Sequence, residues 1–280
     1  MSVQAMTAEH VGAAYFLYLI AISLFCRRPR SAAVRTRIVA ASLTMVIVLA
    51  ASHLFAPRTF LEIVRPWVPA LWLLAGYWVS GWYYEAPMVG VERTLLAFDQ
   101  WVARRQDLDR WFDWMPRAVV EVSEGFYLLC HVFILSGPVL LTGAGEDGAI
   151  DRYWVIVSAA AFLAYACMPW IQTRPPRLLP TSTGLRRASG RSVMRSVNAV
   201  IVGQASIGAN TFPSGHVSAA FAAALALSDV VPSLWPGVLA VAIAIGLSTV
   251  IGRYHYVLDA LAGAALSVLV WLVFLRLWPV

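Results

Sequence analysis

The sequence predicts an all-α membrane protein, a polytopic helix bundle with about eight transmembrane spans. Three observations support this fold class: the chain is 60 % hydrophobic, only 13 % of its residues are charged, and its mean hydropathy is +0.71. A soluble chain of 280 residues with this composition would expose too much apolar surface. A span needs roughly 20 mostly apolar residues. The runs that approach this length are 11–26, 38–55, 66–84, 118–141, 153–170, 215–231, 236–251 and 256–277.

The first three runs and the segment after them contain no catalytic signal. Run 11–26 follows Glu9 and His10 rather than a basic segment and lacks a good cleavage site, so we expect a retained span and not a signal peptide. Residues 91–114, VERTLLAFDQWVARRQDLDRWFDW, carry charges on one side and apolar side chains on the other. This pattern predicts an amphipathic helix on the membrane surface.

Charge and cysteine content exclude several classes of function. All 21 basic residues are arginines, which rules out a lysine Schiff-base mechanism. The net charge of +6 reflects arginine-rich loops beside the spans, which indicates membrane topology and requires no nucleic-acid partner. Cys26, Cys130 and Cys167 lie in or beside apolar runs without paired spacing, so we expect neither a disulfide framework nor a metal site.

Three polar stretches fall where the later runs begin or end. Arg174 and Arg177 follow the fifth run, residues 213–216 (Pro-Ser-Gly-His) open the sixth, and residues 248–263 (STVIGRYHYVLDALAG) join the seventh to the eighth. Two spans separate the second stretch from the third, and an even number of spans returns the chain to the same side. We therefore expect all three stretches to converge on one membrane face.

His255 and Asp259 form the first candidate catalytic pair. They are four residues apart, a spacing that places both on one face of the eighth helix. A carboxylate there fixes the imidazole tautomer and leaves the other nitrogen free to attack a substrate. An ionisable group inside an apolar run is by default a candidate functional residue. The alternative is a His–Asp pair that only satisfies its own hydrogen bonds at a helix end.

The surrounding residues indicate that a phosphate binds here. His216 alone would be read as a capping or interfacial histidine. A helix that begins at Ser214 directs N–H groups and a positive dipole end toward a bound anion, and Gly215 allows a close backbone approach. Because no acidic cluster is present to hold Mg²⁺, we expect phosphoryl transfer without a metal or other cofactor. Forked donors suited to phosphate oxygens come from Arg174, Arg177 and Arg253, although each alone is also typical of a positively charged loop.

At these residues the chain resembles the type 2 phosphatidic acid phosphatase superfamily, in particular its inositol-phosphorylceramide-synthase-like branch. That superfamily has three signatures: a Lys seven residues before Arg-Pro, then Pro-Ser-Gly-His, then Ser-Arg followed by His and Asp. The matching residues here are Arg174-Pro175, residues 213–216, and Ser248, His255 and Asp259. The resemblance covers roughly residues 118–280 and implies a six-helix phosphatase-like core. We accordingly divide the chain into N-terminal spans with a surface helix, residues 1–112, and a catalytic membrane core, residues 113–280.

The resemblance also implies roles for individual residues. His255 would be the nucleophile that forms a phosphohistidine, Asp259 its orienting partner, and His216 the acid that protonates the leaving group. Cys167 stands where the signature has lysine and Thr249 where it has arginine. The phosphate clamp must therefore differ, and we expect Arg177 and Arg253 to replace the missing charges.

Several functions remain open at this point. The leading interpretation is an integral membrane enzyme acting on a phospholipid, polyprenyl phosphate or phosphoinositide. Water as acceptor makes it a phosphatase, whereas a polyol or lipid hydroxyl makes it a phosphotransferase. The alternatives are a transporter that binds an anion without chemistry and a catalytically silent scaffold. The expected partners are the lipid phosphate and membrane lipids, with no nucleic acid and with the oligomeric state open.

Two arguments about the membrane face of the site conflict. With eight spans, 17 of the 21 arginines lie on the same side as the site, so the positive-inside rule predicts the cytoplasmic face. The resemblance implies the extracytoplasmic face. We favour the cytoplasmic face because the arginines of residues 27–37 are far in sequence from any catalytic motif.

Three further polar residues have structural interpretations. His131, within the fourth run, is predicted to hydrogen-bond a neighbouring helix, with the lining of a substrate path as the alternative. Glu121 and Glu124 open the same run and fit the N-terminus of their own helix.

Overall fold

The computed structural model describes residues 7–55, 63–108, 110, 114–179 and 192–277. Within these ranges the fold contains ten α-helices and no strand, which confirms the predicted all-α class. The helices are α1 (Thr7–Phe25), α2 (Ala32–Phe55), α3 (Val68–Gly81), α4 (Val89–Gln106), α5 (Arg117–Gly143), α6 (Ile150–Ala166), α7 (Val193–Ala205), α8 (Gly215–Val230), α9 (Trp235–Ile251) and α10 (Val257–Leu277).

Each of the eight predicted spans coincides with a helix, but they differ in length. Six of them, α1, α2, α5, α6, α9 and α10, are long and apolar enough to cross a bilayer, α6 and α9 together with the short 3-10 turns that precede them, which indicates an integral membrane protein. The other two are shorter, with 14 residues in α3 and 16 in α8. At 1.5 Å per residue these two extend about 21 and 24 Å, less than the roughly 30 Å of a hydrocarbon core.

The centre of the bundle is built from α6 and α8, whose side chains are mostly buried. The buried surface of α8 is rich in alanine, and small residues allow neighbouring helices to approach closely. At the crossing with α10, a Cβ added to Gly263 would lie 2.7 Å from the carbonyl oxygen of Ser214. The hydroxyl of Ser267 donates a 2.7 Å hydrogen bond to the carbonyl of Ser218. This crossing brings the Pro-Ser-Gly-His stretch against the start of α10.

The predicted amphipathic helix is present as α4, but the predicted separation of charged from apolar side chains is incomplete, because two carboxylates lie on its buried face. Its buried side chains are Glu92, Leu95, Asp99 and Ala103, which follow one face of the helix. Two carboxylates can lie on the buried face because each has a partner there, the guanidinium of Arg174 for Glu92 and a backbone amide for Asp99.

The predicted division of the chain falls at residues 112 and 113, which lie outside the described residues. Six of the ten described helices, α5 to α10, follow this position. The polar connection between the fifth and sixth predicted spans is described at residues 172–179 and 192–211. The division into two parts stays a prediction.

Candidate active site

Backbone contacts bring the three polar stretches together at one end of the bundle. Thr173 and Asn210 form an isolated antiparallel bridge that joins the first stretch to the segment before the second. The amide of Arg177 donates to the carbonyl of Arg253 at 2.9 Å, and the amide of Ser214 donates to the carbonyl of Asp259 at 3.0 Å. The first stretch therefore contacts both others, and the second contacts the third.

His255 lies between Asp259 and His216. Its Nδ1 is 3.5 Å from Oδ2 of Asp259, and its Nε2 is 3.5 Å from Nδ1 of His216. The side chains of His255 and Asp259 are 6 % and 0 % exposed, so water is largely excluded from the pair. A carboxylate at Nδ1 leaves Nε2 as the nitrogen available for attack.

The expectation that both residues lie on the eighth helix is wrong, because α10 begins at Val257. His255 belongs to the turn before it, and Asp259 lies in its first turn. Oδ2 of Asp259 accepts a 3.0 Å hydrogen bond from the amide of Tyr256, the pattern of an acidic residue that caps the start of its own helix. The pair is therefore held together by a capping turn rather than by helical spacing.

Asn210 completes the arrangement around the carboxylate. Its Nδ2 donates to Oδ2 of Asp259 at 2.8 Å and to Oγ1 of Thr173 at 3.0 Å. Sequence reasoning did not assign this residue a role. The available signal was its position four residues before Ser214, but no periodic pattern identifies its partners.

The Pro-Ser-Gly-His stretch forms the N-terminus of α8. The Ser214 hydroxyl accepts a 3.3 Å hydrogen bond from the amide of Val217, and the Gly215 amide donates to Oγ1 of Thr211 at 3.2 Å. A Cβ at Gly215 would lie 2.4 Å from the ring of Tyr165, so glycine is required for this contact. A phosphate that binds at this terminus would replace the side-chain oxygens to which the Gly215 and Val217 amides donate in this structure.

Arg174 is paired with Glu92. Nε and Nη2 of Arg174 donate to the two carboxylate oxygens at 3.0 and 2.7 Å, and the Arg174 amide donates at 2.7 Å. Although burial raises it, these hydrogen bonds bring the pKa of Glu92 below its ordinary value. The carboxylate covers the Nε–Nη2 edge, so the Nη1 side is the one from which Arg174 can meet a phosphate.

Arg177 and Arg253 lie on the two loops beside His255. The Arg177 guanidinium is 5.4 Å from the centre of the Tyr254 ring, and it interacts electrostatically with His216. Arg253 is buried and has a left-handed backbone, with φ of 58°. That conformation costs a residue other than glycine about 1–2 kcal/mol. Such strain is typical of functional loops.

Comparison with known families matches the part of the chain that contains all three polar stretches. The match is to the PAP2 superfamily and covers residues 153–280, from the start of α6 to the end of the chain. Residues 153–280 are thus similar to the PAP2 superfamily. No curated protein and no solved structure matched the chain. The PAP2 superfamily acts on lipid phosphates, and its fold supports phosphatase or phosphotransferase chemistry.

At the two positions where the chain departs from the PAP2 signatures, both side chains bond within their own helix or helix end. Oγ1 of Thr249 donates to the carbonyl of Gly246 at 2.7 Å, and Sγ of Cys167 is 3.5 Å from the carbonyl of Leu163. The Thr249 carbonyl also accepts from the amides of Tyr254 and His255. Neither residue therefore supplies the missing positive charge.

A buried polar network links the candidate site to α7. The Tyr254 hydroxyl donates to Oε2 of Glu124 at 2.7 Å, and its ring stacks on Tyr127 with centroids 3.7 Å apart. Asn198 on α7 donates to the same carboxylate oxygen at 2.8 Å. Glu124 thus contacts both a neighbouring helix and the loop that contains His255, whereas the sequence interpretation confined it to the N-terminus of its own helix.

Glu121 likewise has its partners on another helix. Its carboxylate accepts hydrogen bonds from the amides of Val193 and Met194 at 2.8 and 2.9 Å. It therefore caps the N-terminus of α7 and not that of α5. The residue type signalled a helix terminus, but the sequence did not indicate which one.

A cavity of about 340 Å³ opens beside His216. Its walls come from α3, α5, α7 and α8 and from Tyr165, and they are predominantly apolar. His131 lines the cavity with its ring edge-on to His216 at 5.6 Å. The structure therefore favours the substrate-path alternative for His131 over the interhelical hydrogen bond.

In the described ranges, the His, Cys, Asp and Glu side chains form no group of three or more that could hold a metal ion.

Proposed function

We propose that the protein is an integral membrane enzyme that removes or transfers the phosphoryl group of a lipid phosphate through a phosphohistidine at His255. The observation that carries this proposal is the placement of His255, with the Asp259 carboxylate at Nδ1 and His216 at Nε2. A histidine that has a carboxylate 3.5 Å from one nitrogen and a second titratable group at the other is arranged as a nucleophile beside an acid.

The reaction proceeds in two steps. In the first, the Nε2 lone pair of His255 attacks phosphorus, the bond from phosphorus to the lipid oxygen breaks, and protonated His216 gives its proton to that oxygen. In the second, neutral His216 takes a proton from water or an acceptor hydroxyl, whose oxygen attacks phosphorus and breaks the P–N bond. Asp259 stabilises the positive charge that the His255 ring carries between the steps.

Arginines and the start of α8 hold the phosphoryl oxygens in this mechanism. Arg177 and Arg253 take the positions left open by Cys167 and Thr249, Arg174 contributes from its Nη1 side, and Ser214 and Gly215 present the helix terminus. The negative charge that spreads over these oxygens in the transition state is thereby neutralised without a metal ion.

The cavity beside His216 supports a lipid as substrate. Its apolar walls suit a hydrocarbon chain, and its polar end adjoins the candidate acid. A phospholipid, a polyprenyl phosphate and a phosphoinositide all fit this chemistry. The departures at Cys167 and Thr249 support the inositolphosphotransferase-like branch, in which a polyol replaces water as acceptor.

Turnover of defined lipids by the purified protein tests this proposal. Phosphatidic acid, polyprenyl diphosphate and phosphoinositide would be offered in mixed micelles, with and without a chelator and with and without inositol. Phosphate release measures hydrolysis, and a new inositol-containing lipid measures transfer. We expect turnover to survive the chelator, and its loss there would contradict metal independence.

Trapping the covalent intermediate tests which residue carries the phosphoryl group. With a ³²P-labelled substrate, the wild-type protein should acquire an acid-labile, base-stable label that His255→Ala lacks. His216→Ala should slow turnover most for poor leaving groups, whereas His10→Ala, at the far end of α1, serves as the histidine control. Full activity in His255→Ala would refute the mechanism and favour a transporter or silent scaffold.

A further inference from the structure

The surface helix α4 lies outside the matched domain but contacts the catalytic loops directly. Its residues 89–106 precede the PAP2 match, which begins at residue 153. Glu92 and Asp99, seven residues apart, lie on its buried face and are 3 % and 2 % exposed. Burying two carboxylates on one helix face is unfavourable unless both are paired, so their partners indicate what this face does.

The two carboxylates reach different signatures of the PAP2 site. Glu92 binds Arg174, the arginine of the first signature. Oδ1 of Asp99 accepts a 3.0 Å hydrogen bond from the amide of Val257, the first residue of α10. Two residues further along α10 is Asp259, which orients the candidate nucleophile His255.

The hydrogen bond from the Val257 amide to Asp99 thus fixes the direction in which the turn containing His255 leads into α10. A carboxylate that accepts an N–H of a helix's first turn stabilises that turn and fixes its direction. The same turn holds the Tyr256 amide on Oδ2 of Asp259 and places His255 opposite that oxygen. A change at Asp99 would therefore move both members of the pair.

The electrostatic surroundings of Asp99 link it to the same residues. The charged or titratable side chains that face it are Asp259 on α10 and Arg253 and Tyr256 on the loop before α10. Burial, with a smaller contribution from Asp259, raises the pKa of Asp99 to about 7, while the Val257 amide and Arg253 act in the opposite direction. Burial and the Asp259 charge therefore both favour the neutral form of Asp99.

We propose that Asp99 is a positioning residue for the His255–Asp259 pair and that α4 is a working part of the active site. The kinetic part of this inference rests on the proposed function, whereas the structural part concerns only the geometry of His255. Asp99 touches no substrate in this arrangement and acts through the Val257 amide and through its charge.

Two substitutions separate the hydrogen bond from the charge. Asp99→Ala removes both, and we expect kcat to fall about 10- to 100-fold with a smaller change in KM, as for a misplaced nucleophile. Asp99→Asn retains an acceptor oxygen for Val257 but cannot ionise. Below pH 7 it should match the wild type, in which Asp99 is then mostly neutral. Above pH 7 the ratio of wild-type to Asp99→Asn kcat should rise, with its inflection near pH 7.

A carboxylate at the opposite end of the bundle provides the control. Glu146 is exposed in the loop between α5 and α6, and Glu146→Gln should leave kcat and its pH profile unchanged. A wild-type kcat in Asp99→Ala overturns the proposal. So does a ratio of wild-type to Asp99→Asn kcat that stays constant from pH 5.5 to 8.5.

A measurement without turnover distinguishes failure of this proposal from failure of the proposed function. The chain has five histidines, so ¹⁵N-histidine labelling in micelles gives few signals, and the signal absent from His255→Gln identifies His255. In the wild type this signal should shift near pH 7 as Asp99 ionises, and this inflection should be absent in Asp99→Asn. Identical titrations in the two proteins would overturn the positioning role even if the protein proves not to be an enzyme.

Discussion

Replacing Gly263 with alanine tests whether the close crossing of α8 and α10 sets the geometry of the site. Gly263 lies one turn after Asp259 on α10. A Cβ at this position would be 2.7 Å from the Ser214 carbonyl oxygen and 3.2 Å from both Oγ of Ser218 and Cβ of Val217. The shortest contact is to backbone, which cannot rotate away. An ordinary carbon–oxygen contact is about 3.3 Å or longer, so the helices must separate by roughly half an ångström.

That separation acts directly on the contact between the second and third signatures. The hydrogen bond from the Ser214 amide to the Asp259 carbonyl is 3.0 Å, and half an ångström more brings it to about 3.5 Å, where it is largely lost. A misplacement of about 1 Å in a catalytic array costs on the order of 100-fold in rate, so we expect about a 10-fold loss of kcat. Overpacking costs about 1–3 kcal/mol, and alanine's helix propensity offsets up to about 1 kcal/mol of this. A modest fall in Tm should therefore accompany the loss of rate.

Gly246→Ala is the matched control, because Gly246 is also a buried helical glycine. Its added Cβ would meet Phe221 at 3.6 Å and Val217 at 3.9 Å, which are ordinary contacts. Both variants would be assayed in the same micelles for kcat on the most active lipid and for Tm by thermal denaturation. If Gly263→Ala equals Gly246→Ala in both measurements, the crossing does not set the site geometry.

Three further predictions concern the clamp, the cavity and the membrane face. Arg177→Lys should lower kcat about 10- to 100-fold because it loses the forked donors, while exposed Arg30→Lys should behave as wild type in the same assay. Ala219→Leu should reduce kcat/KM for long-chain lipids about 10-fold, since it fills cavity space worth about two methylenes; an equal loss with a short-chain lipid would contradict this. In a variant without the native cysteines, Ser31→Cys should resist an impermeant thiol reagent in intact cells and Gly148→Cys should react. The reverse labelling would place the site outside.

The sequence predicts the positions of the helices well. A long apolar run identifies a membrane helix by itself, without knowledge of which helix packs against it. The seventh predicted run, residues 236–251, differs by one residue from α9 (Trp235–Ile251). The prediction is weaker for α3 (Val68–Gly81), which is shorter than its run, residues 66–84, at both ends. The run of α8, residues 215–231, differs from the helix by one residue.

The candidate site is predictable in its signatures but not in its supports. His216, His255 and Asp259 lie in short motifs whose residue types name the chemistry. The residues that hold them, Asp99 and Glu92, have partners 158 and 82 positions away in the chain. A carboxylate on an amphipathic helix reads as a solvent-exposed charge until the partner is known, because periodicity reports the face of a residue and not what covers that face.

The prediction of the membrane face depends on where the arginine-rich residues 27–37 lie relative to the site, and the structure shows this. From sequence, the side on which residues 27–37 lie depends on how many of the intervening runs cross the membrane, and α3 is short. In the structure, Nη1 of Arg28 donates to the carbonyl of Pro169 at 2.7 Å, and the guanidinium of Arg37 lies 4.0 Å from the Trp82 ring centre. Pro169 lies between Cys167 and Arg174 of the first signature, so this arginine-rich loop lies at the same end of the bundle as the site, however many helices cross. The arginines of residues 27–37 and the candidate catalytic residues therefore lie at one end of the bundle, and labelling at Ser31 reports on both. If Ser31→Cys reacts from outside, the positive-inside rule fails for this protein. The loop and the site would still lie at the same end of the bundle.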